Sequence, residues 1–181
     1  MTVLGLWLPI LVSAIAMFLA SFLVSAVLKY HNKDYRRTAD EDAVRAALGG
    51  SEPGFYIVPF CLDPAEMSNP EVHKKFEEGP LAYITVAPNG VPSMAPRMIL
   101  MLGYFLLVGV LCAYFVSRTL APGAEYLSVF RVAGTVAFVA NSFALIPESI
   151  WFNRPWSMTA KNFVDALIYA VLAGGIFGWL A

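Results

Sequence analysis

Four stretches of the chain are almost entirely apolar, and each is long enough to cross a membrane as a helix. They comprise residues 4–28, 98–118, 126–147 and 159–180. A helix of about 20 apolar residues spans the ~30 Å hydrocarbon core of a bilayer. Unpaired backbone groups are costly in lipid and no alternating barrel pattern is present, so the stretches predict helices. We interpret the first stretch as a retained span, because it is too long for a signal peptide and follows no basic residues.

The polar segment between the first two predicted spans, residues 29–97, has the pattern of a small α/β subdomain. Thr38 with Glu41, and Ser68 with Glu71, have the spacing of a capping box at a helix start. Short aromatic and β-branched runs predict two strands. The predicted order is a helix over 40–48, a strand over 55–60, a helix from Pro70 to Glu78 and a strand over 81–87.

Composition agrees with a membrane protein, since 59% of the residues are hydrophobic and 14% are charged. Soluble domains have about 45–50% apolar and ~25% charged residues. Eight of the 12 basic and ten of the 13 acidic residues lie in the polar segment. The net charge of -1 excludes a nucleic-acid partner as the default, because binding to phosphates requires a basic face.

The basic residues beside the spans predict the orientation of the chain. Seven of them fall on one side of the membrane: Lys29, Lys33, Arg36, Arg37, Arg97, Arg154 and Lys161. Cytoplasmic loops carry the excess of Lys and Arg. The sequence therefore predicts a multi-pass membrane protein with both termini outside and residues 29–97 cytoplasmic. The predicted fold is an all-α membrane protein, a four-transmembrane-helix bundle with a small α/β cytoplasmic subdomain between helices 1 and 2.

Polar residues inside the predicted spans are candidates for function, because they are costly to place in lipid. They are Arg131, Asn141, Lys161 and Asp165. Lys161 and Asp165 are four residues apart and are predicted to pair along one helix. Asn141 and Asp165 fall at similar depths and are predicted to face each other, whereas Arg131 lies about 15 Å away. These residues mark either a proton or solute path, or polar contacts that hold helices together.

Small residues at four-residue steps predict close approach between helices. They are Gly109 and Ala113 in the second span, and Ala166, Ala170, Gly174 and Gly178 in the fourth. Such faces serve either packing within the bundle or contact with another subunit, including a second copy of this chain.

The run after the first span is interpreted as a lipid-headgroup collar of Lys29, Lys33, Arg36 and Arg37. We expect His31 and Asp34 to be solvated members of the same run. The sequence contains no metal-ligand spacing and no hydrolase motif, and both histidines fall outside the spans. No cofactor, metal site or catalytic residue is therefore predicted.

The run after the first span also resembles the corresponding run of known proteins. The residues Tyr30-His31-Asn32-Lys33-Asp34-Tyr35 follow the first span, and in this feature the chain resembles small uncharacterised bacterial inner-membrane proteins with four transmembrane helices. The resemblance implies a bacterial setting and no activity. With it, the predicted location is the bacterial inner membrane, with both termini periplasmic.

These features favour a non-catalytic accessory or scaffold subunit of a larger inner-membrane assembly, such as an energy-transducing, respiratory or photosynthetic one. Its expected partners are the lipid bilayer and other membrane subunits or a second copy of itself. The alternative is a small transporter or a proton or solute channel that uses Asp165, Asn141 and Arg131. A lipid-modifying enzyme with Glu148 and Arg154 is a third hypothesis.

Overall fold

The structure is a computed structural model that describes residues 2–181, and it divides the chain into two compact units. The first unit contains residues 2–35 and 93–181, and the second contains Arg36–Pro92. Among the described residues, four helices are long and apolar enough to cross a membrane. The chain is thus a multi-pass membrane protein.

The elements follow one another along the chain as α1 (Trp7–Phe22), α2 (Glu41–Leu48), β1 (Gly54–Val58), α3 (Pro70–Glu78), β2 (Ala82–Val86), α4 (Met94–Thr119), α5 (Tyr126–Ser142), α6 (Leu145–Trp151) and α7 (Trp156–Leu180). A 3₁₀ turn over Leu4–Leu6 precedes α1, and a π-helical turn over Leu23–Leu28 continues it. The first span is thus Leu4–Leu28, with the predicted bounds.

The other spans extend beyond the predicted ranges. Helix α4 begins at Met94 instead of residue 98, and the fourth span begins at Trp156 instead of residue 159. The third span continues through α6 to Trp151, beyond residue 147. Hydropathy marks the apolar part of a helix, but the helical backbone continues into the polar ends of each span. Pro96 is tolerated there because the amide groups of a first helical turn have no partner within the helix.

The small-residue ladders are used for contacts within this chain. A Cβ atom at Gly174 would lie 2.8 Å from the carbonyl oxygen of Phe130, and one at Gly178 would lie 2.8 Å from the ring of Tyr126. These contacts bring the backbone of α7 against α5. Gly109 has the same role between α4 and α1, where a Cβ atom would lie 3.1 Å from the carbonyl oxygen of Ile10. Ala113, Ala166 and Ala170 are also buried within the unit.

Polar contacts join the spans as well. The Tyr104 hydroxyl of α4 donates to the Ala140 carbonyl of α5 over 2.8 Å, and the Ser149 and Thr159 hydroxyls are hydrogen-bonded between α6 and α7. Hydrogen bonds between helices in lipid contribute about 0.6–2 kcal/mol each.

The second unit has the predicted order of helix, strand, helix and strand. Strands β1 and β2 are antiparallel, with Gly54 opposite Val86 and Val58 opposite Ala82. The predicted capping residues are wrong. Asp40 caps α2 by accepting from the Ala43 amide, and Asn69 caps α3 by accepting from the Glu71 amide. Asp and Asn accept as well as Ser and Thr do, and the capping-box spacing does not distinguish neighbouring candidates. The structure describes every residue of this unit, and none is buried.

Candidate functional site

The chain reverses direction at the end of the first span. Lys29 has a left-handed backbone with φ of 52°, and its amide donates to the Val24 carbonyl. This closure is typical of a helix C-terminus. The next residues, Tyr30–Asp34, form a single 3₁₀ turn. The turn carries three of its side chains to the first turns of α7.

Asp165 of α7 is the polar group at the centre of this contact. Its side chain is 10% exposed. The Tyr30 hydroxyl donates to one carboxylate oxygen, and His31 Nε2 lies 2.8 Å from the other. Both oxygens of an acidic group inside a span are thereby partnered by residues from the turn after the first span.

Lys161 bonds to Asp34, and the predicted pair between Lys161 and Asp165 is wrong. The Lys161 ammonium donates to Asp34 Oδ1 and, over 3.1 Å, to the Tyr30 carbonyl. The turn places the Asp34 carboxylate within reach of Lys161, while the Asp165 carboxylate is bonded to Tyr30 and His31. Asp34 was also expected to be solvated, yet its side chain is only 4% exposed. The hydrogen bond from Lys161 holds the pKa of Asp34 below its ordinary value of 3.8; the His31 contact acts in the same direction and burial opposes it.

His31 lies between the two carboxylates. Its Nδ1 is 3.1 Å from Asp34 Oδ2, and its Nε2 is 2.8 Å from Asp165 Oδ2. An ionised carboxylate only accepts hydrogen bonds, and a neutral imidazole has one N–H to donate. Both contacts are hydrogen bonds only when the ring is an imidazolium or when one carboxyl group holds a proton. Forming both hydrogen bonds at once therefore requires two protons among Asp34, His31 and Asp165.

We call Tyr30, His31, Asp34, Lys161 and Asp165 the His31 cluster. With His31 as the imidazolium, the cluster has two positive and two negative charges. The cluster is then neutral. Neutrality lowers the cost of placing four ionisable groups at the end of a span.

A cavity of about 620 Å³ borders the His31 cluster. All of its lining residues belong to the first unit. His31, Asp34 and Asp165 lie in its wall, together with Asn141 of α5 and Asn162 of α7. Its volume is within the range of about 300–1,000 Å³ that is typical of small-molecule sites. The cavity can hold a small solute in contact with titratable groups.

The predicted intramembrane residues are only partly brought together. Asn141 and Asp165 line the same cavity, but the Asn141 amide donates to the Ala137 carbonyl of its own helix over 2.7 Å. Arg131 is exposed on α5 and is not among the residues that line the cavity.

The predicted lipid-headgroup collar lies on the surface of the molecule. The four collar residues are exposed, and Arg37 lies 3.7 Å from Glu41. No group of three or more potential metal ligands converges in residues 2–181.

Sequence reasoning missed Tyr30, His31 and Asp34 as site residues. These residues lie more than 120 positions from their α7 partners, so spacing gives no sign of the contact. One signal was present: histidine and aspartate at i and i+3, directly after a span, can both face the membrane end of a neighbouring helix.

Comparisons of the chain with protein-family models, with curated proteins and with solved structures found no match. The resemblance to small bacterial inner-membrane proteins therefore stays a prediction. The findings describe a membrane protein of unknown family with four helices able to span a bilayer.

Proposed function

We propose that this chain is a small transporter or proton channel of the bacterial inner membrane, in which the four spans form a bundle around the Asp165 site. The observation that carries the proposal is the position of His31 between Asp34, which lies outside the spans, and Asp165, which lies inside one. Its Nδ1 is 3.1 Å from Asp34, and its Nε2 is 2.8 Å from Asp165. Chains of Asp, Glu and His in membrane segments are typical of proton relays. An imidazole that contacts a carboxylate at each nitrogen can accept a proton on one side and release one on the other.

The cavity supports the same proposal. It gives a solute or water direct access to Asp165 and Asn141, two of the three residues that the sequence assigns to a path. Arg131 lies outside it, so we propose that the entrance is at the His31 cluster and that Arg131 belongs to the opposite side of the membrane.

The proposed orientation places the His31 cluster at the cytoplasmic face, with both termini periplasmic. The basic residues near this end of the spans support it through the positive-inside preference. Trp151 and Trp156 are exposed near the same end, and Trp7 and Trp179 near the other. Exposed tryptophans at both ends are typical of the two membrane interfaces.

The proposal is tested by proton flux in liposomes. The purified protein is reconstituted in vesicles that contain a pH-sensitive dye, and a potassium diffusion potential drives proton entry. We expect Asp165→Asn to lower the flux about tenfold or more, because a relay requires each of its members. Asp42→Asn is the matched control, since Asp42 is fully exposed in the second unit. Wild-type flux in Asp165→Asn, with normal reconstitution, would contradict the proposal.

A second candidate, an accessory subunit of a larger membrane assembly, is supported by the second unit. Two strands and two short helices are marginal by themselves in water. In addition, Val58, Phe60, Leu62 and Leu81 are 45%, 72%, 70% and 46% exposed. A unit with no buried residue and several exposed apolar side chains gains stability by covering them with another surface.

A further inference from the structure

The cavity beside the His31 cluster contains two positive charges that have no counterpart. Asp34 and Asp165 in its wall are bonded to Lys161, His31 and Tyr30. Arg97 and Arg154 also line the cavity. Within residues 2–181, neither guanidinium group has an ion pair or a hydrogen bond. Arg97 and Arg154 therefore add two positive charges to the cavity beyond the charges paired within the His31 cluster.

The two arginines lie nearer the end of the spans than the apolar residues Phe18 and Met101 do. Arg97 lies in the first turn of α4, and Arg154 directly precedes α7. Met101 lies one turn further along α4, about 6 Å deeper at 1.5 Å per residue. Phe18 of α1 and Met98 of α4 also line the cavity. The cavity therefore has a basic rim, and apolar side chains lie further in beside Asp165 and Asn141.

The chemistry of the lining selects between classes of ligand. A guanidinium group binds carboxylate and phosphate oxygens through two parallel hydrogen bonds. Methionine side chains adapt their shape to apolar groups of different size. A cation is disfavoured, because both carboxylates already have partners and two arginines remain.

We propose that the cavity binds an amphipathic anion, with a carboxylate or phosphate group at Arg97 and Arg154 and an apolar chain directed toward Phe18 and Met101. This inference rests on the proposed function, since it takes the cavity as the solute site of the transporter. A free fatty acid and a phosphate-headed lipid both have this chemistry.

The test is calorimetric titration of the full-length protein in nanodiscs, with empty nanodiscs as the blank. The anions octanoate and octyl phosphate are compared with octylamine and octanol, which have the same tail, and with acetate and inorganic phosphate, which have none. We expect the two tailed anions to bind about tenfold tighter than every other compound. Arg97→Gln and Arg154→Gln should each weaken this binding about tenfold. Arg118→Gln is the matched control, because Arg118 is exposed in the last turn of α4, away from the cavity.

Three results would overturn the inference. They are equal or tighter binding of octylamine or octanol, equal binding of acetate or phosphate, and unchanged binding of octanoate and octyl phosphate in both cavity variants. Absence of binding by every compound overturns it as well. Each of these leaves the Asp165→Asn flux measurement to decide the proposed function separately. A preference for octanoate supports the inference with a free fatty acid as ligand, and a preference for octyl phosphate supports it with a phosphate-headed lipid.

Discussion

At the scale of single residues, the position of Lys161 shows how a short turn outside the membrane changes the role of a charge inside it. Lys161 neutralises Asp34, and Asp165 is left to Tyr30 and His31. The side chain of Asp34 is thereby only 4% exposed, and its carboxylate contacts both Lys161 and His31. Removing one partner of such a pair leaves the other buried without compensation.

Replacement of Lys161 by Gln is expected to destabilise the protein in a pH-dependent way. The pKa of Asp34 is lowered by Lys161 in the folded state, so the pair stabilises the protein above pH 3.8 and this stabilisation is lost as the pH falls below that value. The variant should unfold at a lower temperature than the wild type at pH 6, and the difference should shrink at pH 3. Thermal unfolding in detergent at both pH values measures it.

The same substitution at an exposed ion pair is the control for Lys161→Gln. Lys74 lies 3.6 Å from Glu78, and both side chains are well exposed. Lys74→Gln should have little effect at either pH, because exposed pairs contribute ~0–1 kcal/mol. An equal effect of Lys161→Gln at pH 6 and pH 3 would show that Asp34 is not the group concerned.

At the scale of elements, the contact between α5 and α7 depends on glycine. A Cβ atom at Gly174 would lie 2.8 Å from a backbone oxygen of Phe130, which cannot move without the helix. Gly174→Ala should therefore lower stability by about 1–3 kcal/mol, the usual cost of overpacking. Gly103→Ala on α4 is the matched control, since no atom lies within 4 Å of the added group. It should leave stability unchanged or slightly raise it. Equal unfolding midpoints of the two variants in detergent would contradict this close contact.

The sequence predicted the helices and strands better than it predicted the side-chain contacts between them. Hydropathy predicted each span, and it misplaced the start of α4 by four residues because Pro96 and Arg97 interrupt the apolar run at the start of the helix. Asp165 was predictable as a site residue, because a carboxylate in a span is costly wherever it lies. Its partners were not predictable, since Tyr30 and His31 reach it only through the left-handed backbone of Lys29. A lysine in the sequence gives no sign that its backbone will be left-handed.

At the scale of the whole molecule, the two units differ in how they are stabilised. The first unit buries apolar side chains from α1, α4, α5 and α7, whereas the second buries none. The two-stranded sheet and the short helices of the second unit do not enclose a core. Two strands need a hydrophobic face against another element to be independently stable. A partner surface that covers the exposed apolar side chains of the second unit would stabilise this unit. These exposed side chains therefore support the role of an accessory subunit.

Purification in a mild detergent distinguishes an accessory subunit from a transporter that acts alone. If the second unit docks on another subunit, the wild-type protein should elute with a stoichiometric partner or as a dimer in size-exclusion chromatography with light scattering. Phe60→Ser with Leu62→Ser should abolish that association, because it removes two exposed apolar side chains that closely follow β1. Val91→Ser, at a residue 98% exposed in the same unit, is the control and should leave it intact. A monomeric wild-type protein with full proton flux would instead show that the chain acts alone, since the His31 cluster lies entirely within its first unit.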